Sequence, residues 1–477
     1  MFERSAYDAV VVGSGPNGLS AAIALAQAGC QVLVIEGQDT LGGGVRSSEL
    51  TLPGFIHDPC AAIFPLSLAS PFLSTLPLEK HGLEWINPPV ALAHPMDKGG
   101  PVLVERSLDA TAVSLREDEK AYRRLLQPLM DAWDQFRQDL LGPLPLPPRA
   151  PLSYTRFGLN ALFSASGLSR TKFHNPRTRG MFAGMAGHSQ LSLNTPGSAA
   201  FGIVISLLAH TEGWPLPRGG AQSISNALAQ YFISLGGEIV TGTQIERLDQ
   251  LPAYRAVLFD VAPRNFLRIV GEGLPSAYRK QLEGYRYGPG VFKIDYALDG
   301  PIPWKDEACA MAPTVHLGGT LEEIVASEAS VNRGEHPERP YVLVAQPTLF
   351  DPSRAPDGQH IAWVYCHVPN GSQLDMTGLI EAQIERFAPG FCRRVLAFNT
   401  RNPLQMEAYN PNYVGGDINA GVQDLWQQFT RPAVRLDPYS TPLRRIFLCS
   451  SATPPGGGVH GMCGYYAAQS ALKRVLQ

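Results

Sequence analysis

Asp8-Ala9-Val10-Val11-Val12-Gly13-Ser14-Gly15-Pro16-Asn17-Gly18 joins an apolar, β-branched run to a glycine-rich turn. Residues 8–12 read as a buried parallel strand. Residues 18–28 are rich in Ala, Leu and Ile at helical spacing and end at Gly29, a C-terminal cap. Residues 31–36 form a second apolar strand, completing a βαβ unit.

Gly13 permits the sharp turn, Gly15 lets a pyrophosphate approach the backbone, and Gly18 lets the helix lie close on the strand. Ser14, Pro16 and Asn17 fill the spaces between them. The helix N-terminus offers N–H groups and a positive dipole end to an anion. Glu36 closes the second strand, where a carboxylate accepts hydrogen bonds from ribose hydroxyls, and Gly37 follows it. The pattern predicts a dinucleotide site without choosing between FAD and NAD. Downstream, Leu41-Gly42-Gly43-Gly44-Val45-Arg46 is a glycine stretch ending in a basic residue. Composition alone also fits an ordinary flexible loop.

From residue 51 to 94 the pattern is irregular and proline-rich. Residues 118–141 read as a charged helix that stops at a stiff proline connector, 142–148. Residues 157–209 read as packed helices, and 222–235 as a helix followed by the Gly236-Gly237 turn and a strand through Val240. Residues 256–261 form another buried strand. Residues 291–298, 341–346 and 361–367 suggest a separate sheet in mid-chain. A short strand at 446–449, a Gly/Pro loop and an Ala-rich helix end the chain. The nucleotide domain is therefore expected to be discontinuous, within an α/β fold that adds a mixed α+β domain.

The 477 residues are too many for one core. With 44% apolar and 17% charged residues the composition is globular. A net charge of -3 gives no basic stripe for nucleic acid. Seven scattered cysteines form no CxxC pair, disfavour zinc and disulfide frameworks, and fit a reducing compartment. No metal site is expected. Met1 to Tyr7 is too short and polar for a signal peptide. The most apolar run, residues 199–209, is too short to span a membrane. A cytoplasmic protein, soluble or peripheral on a membrane, is expected.

Together these segments resemble the FAD-dependent phytoene desaturase, carotenoid isomerase and amine oxidase superfamily. The likeness is closer still to bacterial proteins related to pyridine nucleotide-disulfide oxidoreductase domain-containing protein 2, carried by residues 11–17, 54–65, 217–220 and 454–464. The resemblance implies FAD, with Gly42, Gly43, Gly44 and Arg46 wrapping its diphosphate. It also matches Gly54-Phe55-Ile56-His57-Asp58 to the family's Gly-Phe-x-x-Asp segment, and Pro217-Arg218-Gly219-Gly220 to a Pro-x-Gly-Gly leading back into the FAD domain. Ile245 with Leu248 matches the apolar pair at the adenine, and Ala262-Pro263 a turn near the diphosphate. Pro455, Gly456, Gly457, Gly458, Val459 and His460 match the loop that closes over the flavin. Relatives carry Gly-Asp before that loop; Ser450-Ser451 stand there instead. The implied FAD domain comprises residues 1–75, 215–275 and 436–477, and the substrate domain 76–214 and 276–435.

Hydride removal by flavin needs orientation more than an acid or base. His460 is the one candidate catalytic residue, against a plain loop-bracing role. His57 beside Asp58 and Cys463 as a flavin link are weaker candidates, since adjacent residues in an extended segment point oppositely and a small thiol packs well in a core. No second strand–GxGxxG–helix unit provides an NAD(P)H domain, so electrons are expected to go to a quinone, to oxygen, or nowhere net. Met181, Phe182 and Met185 with residues 201–208 read either as an apolar tunnel or as helical core. Residues 157–173, flanked by Arg156, Arg170 and Lys172, read either as a buried helix or as a segment on a membrane surface. The expected activity is desaturation or isomerisation of an apolar polyene or isoprenoid-like substrate. Amine or alcohol oxidation with oxygen, and a flavoprotein that mainly binds partners, are the alternatives.

Overall fold

The computed structural model describes residues 3–144 and 147–477, so Pro145 and Leu146 of the expected connector lie outside it. The β-branched run becomes the middle strand, Ala6–Val12, of a five-stranded sheet. Its order is Ile446–Leu448, Ala253–Phe259, Ala6–Val12, Val32–Ile35, Glu238–Val240, and every pairing is parallel.

Both faces of this sheet are covered, which is why its strands are apolar throughout. Ala9 and Val11 pack under helices Pro16–Gln27, Gln222–Ser234 and Met462–Ala471. Val10 and Val12 pack on the other face with Phe266 and Val270 of helix Pro263–Val270. Tyr278 and Leu282 of helix Ser276–Glu283 join that second face. Leu78 and Leu83 likewise pack into the first face.

The second sheet has seven strands, in the order Val395–Arg401, Gly290–Leu298, His360–Val368, Val342–Ala345, Thr314–Leu317, Val90–His94, Val102–Glu105. All its pairings are antiparallel except Thr314–Leu317 with Val90–His94. Four strands escape the sequence pattern: 90–94, 102–105, 314–317 and 395–401. The first ends a proline-rich tract, and the others are short or mix charges with apolar residues. The expected long helix over 118–141 is two, Glu119–Met130 and Trp133–Leu140, broken at Asp131.

Alternating residues divide the second sheet's faces. Phe292, Ile294, Val364 and Cys366 pack against Ile380, Ile384 and Phe387 of helix Thr377–Phe387. Lys293, Asp295, Trp363, Tyr365 and His367 alternate with them, and Lys293 pairs with Tyr365 and Asp295 with Trp363 in register. Helices Pro176–Gly187 and Ser198–Thr211 share the core to which Leu343 and Tyr365 of this opposite face belong. Met181, Phe182 and Met185 are fully buried in it, so the helical-core reading of these three holds.

One buried ion pair ties the two sheets' units together. Arg354, just past Val342–Ala345, lies 2.8 Å from Asp58 and also donates to the Ile56 carbonyl. Asp58 accepts from Ser47 Oγ (2.6 Å) and from the Ala221 N–H at the head of helix Gln222–Ser234 (2.9 Å). Replacing Arg354 by Ala strands the carboxylate in a dry interior. Arg354→Ala is expected to cost roughly 3–5 kcal/mol, read as a lower urea midpoint with an unchanged slope.

Candidate functional site

Parallel pairing in register decides what stands at the edge of the first sheet. Val12 lies opposite both Ile35 and Phe259, and Phe259 opposite Leu448. The next residues of these strands, Gly13, Glu36, Asp260 and Cys449, therefore emerge in one row at the carboxyl ends. Ligands of open parallel sheets bind in this position.

Gly13 has φ +101°, and a Cβ on Gly18 would collide with the Gly13 carbonyl, so strand and helix meet only through glycine. Glu36 accepts from the Ser14 N–H (2.9 Å), the Ser14 hydroxyl (2.6 Å) and the Gln38 N–H (2.9 Å). Arg46 lies 3.5 Å from Glu36 and over the Tyr409 ring. Its Nε has no partner although buried, as is true of Asn17 Oδ1.

A cavity of about 1430 Å³ starts at this row. Gly13, Ser14, Gly15, Pro16, Asn17, Glu36, Gly37, Gly43, Gly44, Arg46, Ile245, Ala262, Pro455, Gly457, Gly458, Val459 and His460 line it. Three expected contact residues stand behind the wall instead. Gly18 packs on Gly13, Gly42 on Ser225, and Gly456 on Arg431. Ser451 accepts from Asn17 Nδ2 at 3.0 Å and pins the last loop to the first helix.

His460 is placed in the wall, but both ring nitrogens are used. Nδ1 accepts from the Met462 N–H (3.0 Å), so Nε2 carries the hydrogen and faces the Gly456 carbonyl at 3.2 Å. Burial pushes its pKa down to about 4. The two ring-nitrogen bonds brace the loop around His460. His57 is buried off the cavity against Thr51 and Asp295, its pKa pushed down to about 3 by burial. Cys463 is buried with its thiol on the Thr453 and Gly456 carbonyls, and burial raises its pKa to about 11.

Several site residues gave no sequence signal. Asp260, half-buried at the cavity wall, accepts from the Gly18 N–H at 2.9 Å and stands 2.6 Å from where a Cβ on Gly15 would be. Burial raises its pKa to about 7. Trp363, Tyr365, Tyr409 and Tyr413 form an aromatic wall. Behind it Lys293 pairs with Asp295 and lies 5.0 Å from the Trp363 ring centre, with burial pushing the ammonium pKa down. His188 lines the cavity beside Trp214 and meets His316 Nε2 to Nε2 at 3.0 Å. Burial pushes the His188 pKa down to about 3, so this pair is neutral. No helix is long and apolar enough to cross a membrane, and no cluster of three or more metal-ligating side chains exists, among the described residues.

Residues 11–75 match the model of the NAD(P)-binding Rossmann-like domain. Pyridine nucleotide-disulfide oxidoreductase domain-containing protein 2 of Mus musculus is 26% identical over 98% of this chain and 93% of its own length. A limonene dehydrogenase subunit of Castellaniella defragrans is 21% identical over 99% and 96%. Phytoene dehydrogenase of Streptomyces griseus is 25% identical over 76% and 73%. The chain is thus similar in sequence to phytoene desaturases over more than half of its length. Its fold is that of putrescine oxidase, with a TM-score of 0.62 at 17% identity, covering 98% of each chain. The relatives that the chain resembles are named as oxidoreductases, and the Rossmann-like segment implies a dinucleotide cofactor. The glycine cradle and the unpartnered Asn17 and Arg46 atoms fit such a cofactor.

Two outcomes follow for the cradle. Gly15→Val drives a side chain into Asp260 and is expected to leave less than about a tenth of the wild-type dinucleotide binding. Asp260 has a folded pKa above its unfolded value of 3.8. Stability attached to its proton is thus complete below pH 3.8 and lost as pH rises through about 7. Denaturant titrations at pH 5 to 8 are expected to show wild type losing stability relative to Asp260→Asn as pH rises; parallel profiles would refute this.

Proposed function

We propose that the chain is an FAD-dependent oxidoreductase that desaturates or isomerises an apolar, isoprenoid-like substrate. One observation carries the reading: a single cavity runs from the glycine cradle to an opening walled by apolar side chains. Leu144, Leu162, Phe429 and Leu436 line the cavity and are themselves exposed. FAD supplies the hydride acceptor, N5 of its ring system. The chain's own part is to hold the cofactor between Gly13–Asn17 and the 455–460 loop. Phe201, Val204 and Ile205 on one side and the aromatic wall on the other orient a greasy substrate. Quinone or oxygen serves as the final acceptor where net oxidation occurs.

The opening also supports contact with a lipid surface. Leu152, Leu159, Leu162 and Phe163 are exposed on one side of it, and Trp426, Phe429, Val434 and Leu436 on the other. Gly197 joins the sides, its N–H bonding the Leu162 and Phe163 carbonyls while its α-carbon faces Leu425. Between Asp139 and Glu212 the chain has no acidic residue, whereas Arg149, Arg156, Arg170 and Lys172 are exposed there. Such a collar suits an anionic bilayer from which an isoprenoid enters sideways. Only the front of the 157–173 segment belongs to it, because Leu168 and Phe173 are buried.

A second reading, amine oxidation, draws on the aromatic wall and on the shared fold. Anaerobic bleaching of the bound flavin distinguishes the two. Polyenes or cyclic terpenes are expected to bleach it and primary amines not to; bleaching by amines alone overturns the first reading. Leu152→Asp with Leu159→Asp is expected to weaken co-sedimentation with phosphatidylglycerol vesicles at least about tenfold, since each leucine stem contributes about 1.5–3 kcal/mol when buried. Binding should also fall with added salt.

A further inference from the structure

Four Lys or Arg side chains are buried among the described residues: Arg46, Lys293, Arg354 and Arg431. Arg46 has Glu36, Lys293 has Asp295 and Arg354 has Asp58. Arg431 has no carboxylate within ion-pair distance among the described residues. Its guanidinium donates to the Tyr285 hydroxyl (2.9 Å) and the Ala420 carbonyl (3.3 Å), and to Gln423 and Gln428 side-chain oxygens (3.4 Å each). Nε is buried with no partner. The nearby Asp417 carboxylate is taken up by N–H groups of Gly288, Asn419 and Gly421.

A buried cation held by neutral groups is costly unless an anion completes it. Arg431 lines the large cavity, so the anion can arrive from there. Its Nη1 occupies the place where a Cβ of Gly456 would stand, which sets the charge directly against the 455–460 loop. The Gly13–Asn17 cradle meets the last loop at Ser451, five residues before Gly456. Toward the opening the acidic residue in the lining is Asp139, whose carboxylate is taken up by the Arg149 and Ala150 N–H groups.

We infer that Arg431 is the resident counter-charge of the cavity, and that the anion it serves is the reduced flavin. Hydride uptake brings a proton and two electrons to N5 and leaves one negative charge on the N1–C2=O edge, with no further oxidant or reductant required. The glycine at 456 lets the guanidinium approach the 455–460 loop, which would lie against that edge. This rests on the flavin reading above. The same chemistry would also receive an anionic group of a substrate, such as a carboxylate, and the experiment separates the two.

The purified FAD-loaded protein, Arg431→Lys and Arg431→Met are compared by spectroelectrochemical potential and by sulfite titration, sulfite being a probe that leaves the same negative charge on the ring. Arg431→Met is expected to shift the redox equilibrium toward oxidised flavin by one to two decades, about 30 mV per decade for two electrons. It should weaken sulfite binding by at least about tenfold, while Arg431→Lys stays near wild type. The wild type alone gives an independent reading if Arg431→Met fails to fold. Its potential should fall by about 30 mV per pH unit, one proton per two electrons, down to pH values where free reduced flavin is already protonated; twice that slope overturns the inference. Unchanged potential and sulfite affinity in Arg431→Met also overturn it. Benzoate perturbing the flavin spectrum of wild type but not of Arg431→Met, with potentials equal, assigns the charge to a substrate anion instead. Loss of oxidised FAD from both variants assigns it to the diphosphate and overturns it too. A wild-type protein that binds no FAD at all removes the flavin reading itself.

Discussion

The carboxylate of Asp58 is buried where the two sheets' units meet, and most of the architecture is arranged to keep it satisfied. One oxygen takes the Ser47 hydroxyl and the Ala221 N–H, and the other faces Arg354. These partners come from Ser47 just after the glycine loop, from the head of helix Gln222–Ser234, and from the connection between strands Val342–Ala345 and His360–Val368. A charge removed from water tolerates no loose partner. The contact therefore fixes the loop, the helix and the connection relative to one another. Gly220 abuts Ser47 and Asp58 so closely that a side chain there would displace both.

With that junction fixed, the first sheet's register does the rest of the positioning. Parallel strands in step deliver Gly13, Glu36, Asp260 and Cys449 to one edge, drawn from the chain's start, middle and end. The dinucleotide cradle is thus a property of the pairing, not of the fingerprint alone. Asp260 shows the difference. It sits inside the cradle on the Gly18 N–H, at the end of a strand more than 200 residues from the turn it caps. A carboxyl at that place is compatible with a bound diphosphate only insofar as it keeps its proton, and burial favours that.

Much of the nucleotide unit was legible in sequence because its information is local. A strand, a glycine turn, a helix and an acid follow one another, and each step has its own residue signature. The second sheet was harder to read for a physical reason. Lys293, Asp295, Trp363, Tyr365 and His367 alternate with apolar residues, the usual mark of a face turned to water. Here that face is roofed by helices and by the cavity, so alternation marks a buried polar layer. Arg431 escaped notice similarly. An Arg-Pro pair in a loop says nothing of burial until the Gly456 backbone is seen against it. His460 was singled out for its place in the glycine loop, but its partners are its own neighbours, at 456 and 462.

The cavity's electrostatics bear on which chemistry it suits. His188 and His316 share one hydrogen between them and are neutral, and His460 is locked to its loop. No imidazole in the wall is therefore a strong base at neutral pH. An amine or alcohol substrate ordinarily asks for help with a polar proton, whereas a hydrocarbon asks mainly to be held against a hydride acceptor with water kept away. In the proposed reading the apolar opening and Arg431 beside the loop divide those two tasks. One end would admit a substrate without hydration, and the other would stabilise charge only after the hydride has moved. An interaction present after transfer and absent before it lowers the barrier without tightening ground-state binding. On this argument the isoprenoid reading and the role of Arg431 support each other. Both need a site that is dry where the substrate lies and positive where the electrons arrive.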